Sequence, residues 1–155
     1  MPLLRGQKAI VRQIAGGWQT SGVIRLQSGP YLTVTGNTPT GTRRADYVGG
    51  TVYPDNQNIN NWVNKSAFAA SPTSRWGNAG INTVLGPGLQ SYDISLAKNF
   101  PLRERVTMRI QGDFFNLFNV ANFTGLNTTI TSTAFGTIAS AYPARNIQLA
   151  LKLTF

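Results

Sequence analysis

The chain has 155 residues, a length that suits one ordinary domain. It is 41% hydrophobic and carries a net charge of +9, yet only 12% of its residues are charged, against about 25% in a typical soluble domain. It has no Cys and no His, which excludes disulfides, thiolate chemistry and histidine-based metal or acid–base sites; no apolar run reaches the roughly 18 residues of a transmembrane helix, so any membrane crossing would fall to β-strands.

The polar residues are mainly Asn, Thr, Ser and Gly, so polar surfaces here are neutral rather than laced with ion pairs. Basic residues are scattered. The only close groups are Arg43-Arg44 and the run Arg103, Arg105, Arg109. A nucleic-acid binder concentrates its Lys and Arg on one element, so this scatter argues against a nucleic-acid partner. Anionic lipid headgroups or an anionic ligand stay open on charge alone.

At the start, "MPLLRGQKAIVRQIAGG" does not read as a signal peptide, because Arg5, Lys8 and Arg12 interrupt any apolar core. Residues 8–15, "KAIVRQIA", read as a short linker helix stopped by Gly16-Gly17. "GWQTSGVIRLQSG" follows with period two. Trp18, Thr20, Gly22, Ile24 and Leu26 share one face, and Gln19, Ser21, Val23, Arg25 and Gln27 the other.

Residues 29–90 change character. "TGNTPTGTRR", "YPDNQNINN" and "ASPTSRWGNAG" are crowded with turn formers, and Pro30, Pro39, Pro54, Pro72 and Pro87 interrupt regular structure. A helical turn is expected near "INNWVNKSAF". A loop of this length inside one domain is normally functional or disordered. "GNAGINTVLGPG" lacks the Lys-Ser/Thr ending of a phosphate loop and reads as a turn into a strand. Trp62, Arg75 and Trp76 are candidate ligand contacts in this loop; pinning the loop is the preferred role.

Alternation resumes at "SYDISLAKNF". Tyr92, Ile94, Leu96, Lys98 and Phe100 face one way, and Asp93, Ser95, Ala97 and Asn99 the other. Pro101 opens an expected tight turn, "PLRE". The chain returns through "RVTMRIQGDFFNLF", with Val106, Met108, Ile110, Gly112 and Phe114 opposite Arg105, Thr107, Arg109, Gln111 and Asp113. This pair reads as a β-hairpin. A second polar loop spans 117–140, with strand ends expected at its margins. The closing "NIQLALKLTF" sets Ile147, Leu149, Leu151, Leu153 and Phe155 against Asn146, Gln148, Ala150, Lys152 and Thr154.

Four strands thus share one design, each about 9–11 residues long, enough to cross a bilayer when tilted. A soluble β-sandwich also alternates. Three features favour the membrane. Charge is sparse on the polar faces, short and long connections alternate, and the sequence runs to the end of the final strand. Aromatics near strand ends (Trp18, Tyr92, Phe100, Phe114, Phe115, Phe118) fit interfacial girdles. The expected fold class is all-β: an antiparallel transmembrane β-barrel portion with about four strands and two long loops, an incomplete barrel.

Four segments carry a family resemblance: "GGWQTSGVIRLQSGPYLTV" (16–34), "WGNAGINTVLGPGLQSYDISLAKNF" (76–100), "RVTMRIQGDFFNLFNVANF" (105–123) and "AFGTIASAYPARNIQLALKLTF" (134–155). In order and spacing they resemble the C-terminal barrel region of TonB-dependent outer-membrane receptors of the Oar-like subgroup. The resemblance implies the last four or so strands of a plugged barrel of about 22 strands. It implies extracellular loops at 29–90 and 117–140 and a periplasmic turn at 100–104. Leu149, Leu151, Leu153 and Phe155 match the C-terminal outer-membrane assembly signal that such barrels show.

On this reading residues 1–155 are a C-terminal fragment of the receptor barrel, with no plug domain, no TonB-contacting box and no signal peptide. Its lumenal face would be Gln19, Arg25, Asp93, Arg105, Arg109, Asp113, Gln148 and Lys152. Its lipid face would be Ile24, Ile94, Leu96, Met108, Ile110, Leu149, Leu151 and Leu153. The implied partners are outer-membrane lipid, the barrel assembly machinery and the remainder of the receptor, with the TonB complex acting through the absent plug. The implied location is the outer membrane of a Gram-negative-type bacterium, and the implied function is energised uptake of a ligand, which the fragment alone would not perform.

No cofactor and no catalysis are expected. Asp93 and Asp113 lie on the polar faces of adjacent strands, but no nucleophile–base set accompanies them. Arg109 and Arg105 are their expected ion-pair partners. The alternative function is a soluble basic β-sheet module that binds an anionic polymer.

Overall fold

A computed structural model describes residues 15–155. The short helix expected over 8–15 lies outside the described residues except for Ala15. Among the described residues the protein is all-β apart from one 3-10 turn and the helical Ala15, and it divides into two compact units.

Among the described residues the first unit comprises 15–25, Gln90–Val120 and Pro143–Phe155. Its strands are β1 (Trp18–Gln27), β8 (Leu89–Arg103), β9 (Val106–Phe115) and β12 (Asn146–Thr154), in the spatial order β1-β8-β9-β12. All neighbours are antiparallel. β9 pairs with β8 through Ile94 opposite Phe114 and Asn99 opposite Arg109. It pairs with β12 through Leu149 opposite Gly112 and Lys152 opposite Arg109. Gly17 accepts from the Asn99 amide, and Gly22 faces Asp93, so β1 runs antiparallel to β8. The sheet is open, with β1 and β12 as its edges among the described residues.

These strands form where the sequence alternates, with one correction. The expected turn at 100–104 lies further along. β8 continues through Pro101 to Arg103, and the turn is Glu104-Arg105. Pro101 sits opposite Thr107, where a bulge shifts the register before Arg103. A bulge is one of the few places where a strand tolerates a proline. Arg105 is therefore a turn residue and not part of the β9 face.

The second unit, Leu26–Leu89 with Ala121–Tyr142, is built from the two long connections. They are neither disordered nor extended. Five short strand pieces come from the first: β2 (Tyr31–Leu32), β3 (Thr35–Thr38), β4 (Gly41–Arg44), β5 (Asp46–Tyr47) and β6 (Phe68–Ala69), with a sixth, β7 (Val84–Leu85). The second supplies β10 (Phe123–Leu126) and β11 (Ile138–Ala141). They pair as β2-β7, β3-β4, β5-β6 and β10-β11. The expected helical turn is the 3-10 turn Lys65–Ala67, capped by Asn64, whose side chain accepts from the Ser66 amide.

Both connections contribute to one apolar core. Val34, Ala45, Val63, Ala67, Phe68, Ala79, Val84, Ile130 and Phe135 are buried together. Phe68 packs edge-on against Phe135 and Tyr47. Backbone bonds join the two stretches: the Thr35 amide donates to Thr128, and the Ile130 amide donates back to Thr35.

The +9 charge is partly tied up in this architecture. Arg43 donates to the Thr73 carbonyl and Arg44 to the Ala79 carbonyl. Arg75 grips Asp46 through two bonds of 2.7 and 2.8 Å. The same carboxylate accepts from the Asn78 amide. The Arg75 hydrogen bond is the main cause that holds the Asp46 carboxyl below its ordinary value of 3.8, against the opposing effect of burial. A carboxylate whose folded-state pKa is depressed adds stability that is present above the unfolded value and lost as pH falls through the folded one. Acid should therefore loosen this unit as pH drops below about 4. Asp46→Asn should flatten that acid limb, read as the change in Trp62 fluorescence on titration. An unchanged limb in Asp46→Asn would remove Asp46 as its cause.

Candidate functional site

The four-stranded sheet has two chemically distinct faces. Strand pairing places Ile94, Leu96, Lys98 and Phe100 beside Phe114, Gly112, Ile110 and Met108. It places Ile147, Leu149, Leu151 and Leu153 beside those same β9 residues. All eight residues expected on the lipid side except Ile24 fall in this paired set. Ile24 lies on β1, two positions from Gly22, which meets Ile94. Leu149 is 81% and Leu151 69% exposed, so the face is apolar and uncovered along β12. Phe155 lies just beyond β12 and is also exposed.

At Gly112 the face is hollowed. The Phe114 ring leans towards it, and an apolar depression of about 430 Å³ opens there, walled by Trp18, Leu96, Phe100 and Leu149. Among the described residues Lys98 is the one cation that lines this depression. Its ammonium sits 4.7 Å from the Trp18 ring centre and 5.1 Å from that of Phe100, so the aromatic faces offset the removal of its charge from water.

The opposite face is polar and mostly neutral. Arg109 donates to Gln19 across to β1 at 2.9 Å and to Gln111 along its own strand at 3.2 Å. Gln111 in turn donates to both oxygens of Asp113 at 3.0 Å. Asp93 accepts from Ser91 and from the Asn116 amide, and pairs with Arg25 at 3.6 Å. Gln148 stands opposite Asp113, and Lys152 opposite Arg109. Seven of the eight residues expected on the lumenal face thus share one side of the sheet; Arg105, in the turn, does not.

The expected ion pairs are corrected as well. Neither Arg105 nor Arg109 reaches Asp93 or Asp113. Arg109 and Asp113 are four residues apart on one strand, about 13 Å, and Gln111 bridges the gap. Asp93 takes Arg25 from the neighbouring strand instead. The alternation revealed which side each residue occupies. It carried no signal for Gln111 as the connecting residue, because only the register decides who meets whom.

The three loop candidates separate. Trp62 is turned inward: its indole N–H donates to the Leu85 carbonyl at 3.0 Å, and its ring packs on the core of the second unit. Arg75 is held by Asp46. Trp76 is exposed, with the Arg43 guanidinium 5.4 Å over its ring. Three asparagines that sequence inspection passed over fix the loops through their side-chain oxygens: Asn78 accepts from the distant Tyr47 amide, Asn37 from the Thr42 hydroxyl across the β3-β4 hairpin, and Asn127 from the Thr129 amide two residues on. Among the described residues no cluster of acids could hold a metal ion.

A meander of strands with one uncovered apolar face and one hydrogen-bonded, weakly charged face is the wall of a membrane-spanning β-barrel. A family model described as an outer membrane beta barrel domain matches residues 1–148, and the chain belongs to that family. Comparisons with curated proteins and with solved structures return no match.

Proposed function

We propose that this chain is the C-terminal barrel portion of a TonB-dependent outer-membrane receptor of the Oar-like subgroup. It would act with the plug and the remaining strands in energised uptake of a ligand across the outer membrane of a Gram-negative-type bacterium. The observation that carries the reading is the meander β1-β8-β9-β12, closed by a two-residue turn between β8 and β9 and interrupted twice by long connections that fold into their own unit. Receptor barrels have short periplasmic turns and long outside loops in this alternation. The four resembling segments fall on the strands and their flanks. An open sheet cannot stand alone in lipid, since unpaired edge groups there cost several kcal/mol each, so the reading requires further strands to pair with β1 and β12. The polar face would line the lumen and the apolar face would meet lipid. No catalytic role is assigned.

Co-expression tests this reading. A receptor portion with plug and remaining strands, but without the last four, is expressed with and without this chain. Together they should yield a heat-modifiable, protease-resistant barrel in the outer-membrane fraction, with the plug crosslinking to TonB. A chain that folds alone in water as a monomeric β-protein would overturn the reading.

A further inference from the structure

We propose that the second unit binds a neutral saccharide in a pocket at the end of the β10-β11 hairpin. The pocket has a volume of about 260 Å³, slightly below the roughly 300–1,000 Å³ of sites for drug-sized ligands. That is room for one or two sugar rings.

Its frame is rigid. Segments 27–30 and 86–88 cross so closely that a Cβ on Gly29 would lie 1.8 Å from the Gly86 carbonyl oxygen, and one on Gly88 2.8 Å from that of Gln27. The Gly86 amide donates to the Pro30 carbonyl at 2.8 Å. Pro30 and Pro87 fix their own φ angles on either side of this crossing. A preformed site loses little freedom on binding.

The lining has a specific chemistry. Tyr142 supplies a ring, and Phe123, Leu32, Leu89 and Leu126 add apolar lining. The β10-β11 ladder continues one step, with the Tyr142 amide donating to Asn122 at 2.8 Å, so Tyr142, Thr124 and Leu126 share one face of the hairpin and Phe123, paired with Ala141, lies on the other. The polar residues that line the pocket include Gln27, Ser28 and Thr124, which carry an amide and two hydroxyls. Among the described residues, none of these three side chains hydrogen-bonds to another protein group. An apolar ligand would strand them without partners, which costs about 1–3 kcal/mol for each group buried.

Charge decides the rest. The protein has 14 cationic residues, yet no Lys, Arg, Asp or Glu lines this pocket. A phosphate, a carboxylate or a peptide terminus would find no counter-charge. A ring for the C–H face of a ligand, and neutral donors and acceptors for its hydroxyls, are what an uncharged sugar needs. The inference does not depend on energised uptake: failure of TonB crosslinking would leave it standing, and absence of sugar binding would leave the receptor reading standing.

The test uses the full chain folded in detergent, with maltotriose, cellotriose and lactose as probes, and glucose 6-phosphate and glucuronic acid as charged counterparts. Binding is read by titration calorimetry. At least one neutral sugar should bind, with an affinity unchanged between about 50 and 500 mM salt, since no ion pair is made. Tyr142→Ala should weaken binding about tenfold and Tyr142→Phe much less. Thr124→Val, which keeps the shape and loses the hydroxyl, should weaken it about fivefold. Unchanged circular dichroism in the variants separates a lost contact from a lost fold. The proposal is overturned if no neutral probe binds, if Tyr142→Ala and Thr124→Val both leave binding intact, or if the charged probes bind more tightly in a salt-dependent way.

Discussion

Leu151→Arg should destabilise the inserted sheet by about 2–4 kcal/mol, the penalty for a cation on the lipid face near the bilayer midplane. Leu151 lies near the middle of β12, paired with Ile110, and is 69% exposed on the uncovered apolar face. In lipid that exposure is favourable for a leucine and costly for a guanidinium. Its neighbour in sequence, Lys152, points to the other side, opposite Arg109. Lys152→Gln should cost little there, and it removes one of two neighbouring like charges. The comparison is made as equilibrium folding of the chain into lipid vesicles together with the remaining strands of the barrel, followed by tryptophan fluorescence. Equal losses at the two positions would reject the assignment of faces. A large loss at Lys152 alone would invert it.

Gly77→Ala should have the second large effect, in the other unit. A Cβ there would lie 2.1 Å from both the Arg44 and the Ala45 carbonyl oxygens. Both are backbone atoms, so no side chain can swing aside. Ala45 is fully buried, its amide donates to Val34, and its carbonyl accepts from Ala79. Moving it would disturb the core and the adjacent Asp46–Arg75 contact together. Overpacking of this kind costs about 1–3 kcal/mol, occasionally more, and the upper end is expected here. Gly50→Ala is the control. Gly50 has φ +89 with open space around it, so only the backbone preference opposes the change, about 1–2 kcal/mol. Denaturant unfolding read through Trp62 should show the larger loss in Gly77→Ala. Similar losses in both variants would mean that the crossing of 77 with 44–45 is not tight.

The two outcomes concern different physics, and this division is visible in the sequence. The hydrophobic alternation in "GVIRL", "YDISLAKNF", "VTMRIQG" and "IQLALKL" is a local property. A period of two sends successive side chains to opposite faces whatever the strand is paired with. Four strands, their approximate bounds and their two faces were therefore legible. Sparse charge and unequal connection lengths were legible too, and they led to the outer-membrane barrel class to which the chain belongs.

Residues 29–90 and 117–140 were not legible in this way. Their strands are two to four residues long, too short for any period to emerge among the prolines and glycines. Their core residues run from Val34 to Phe135 in chain position, and no single stretch holds enough of them to look like an element. Trp62 illustrates the consequence. As a tryptophan in a polar loop it is a candidate contact for a ligand, and only the fold reveals the Leu85 carbonyl beneath its indole. The pocket beside Phe123 and Tyr142 joins positions from 27 to 142 and has no motif at all.

Even within the alternating strands, alternation identifies a side and not a neighbour. Arg109 and Asp113 were expected to meet as an ion pair. Register instead set Arg109 against Gln19, gave Arg25 to Asp93, and left Gln111 to join Arg109 to Asp113. Likewise Pro101 looked like the start of a turn, until a bulge opposite Thr107 let β8 run on to Arg103. The sequence by itself determined which residues face together, because that follows from the pleat of a single strand. Tertiary structure alone decided which of them touch and how the connections fold, because pairing register and close backbone crossings depend on residues far apart in the chain.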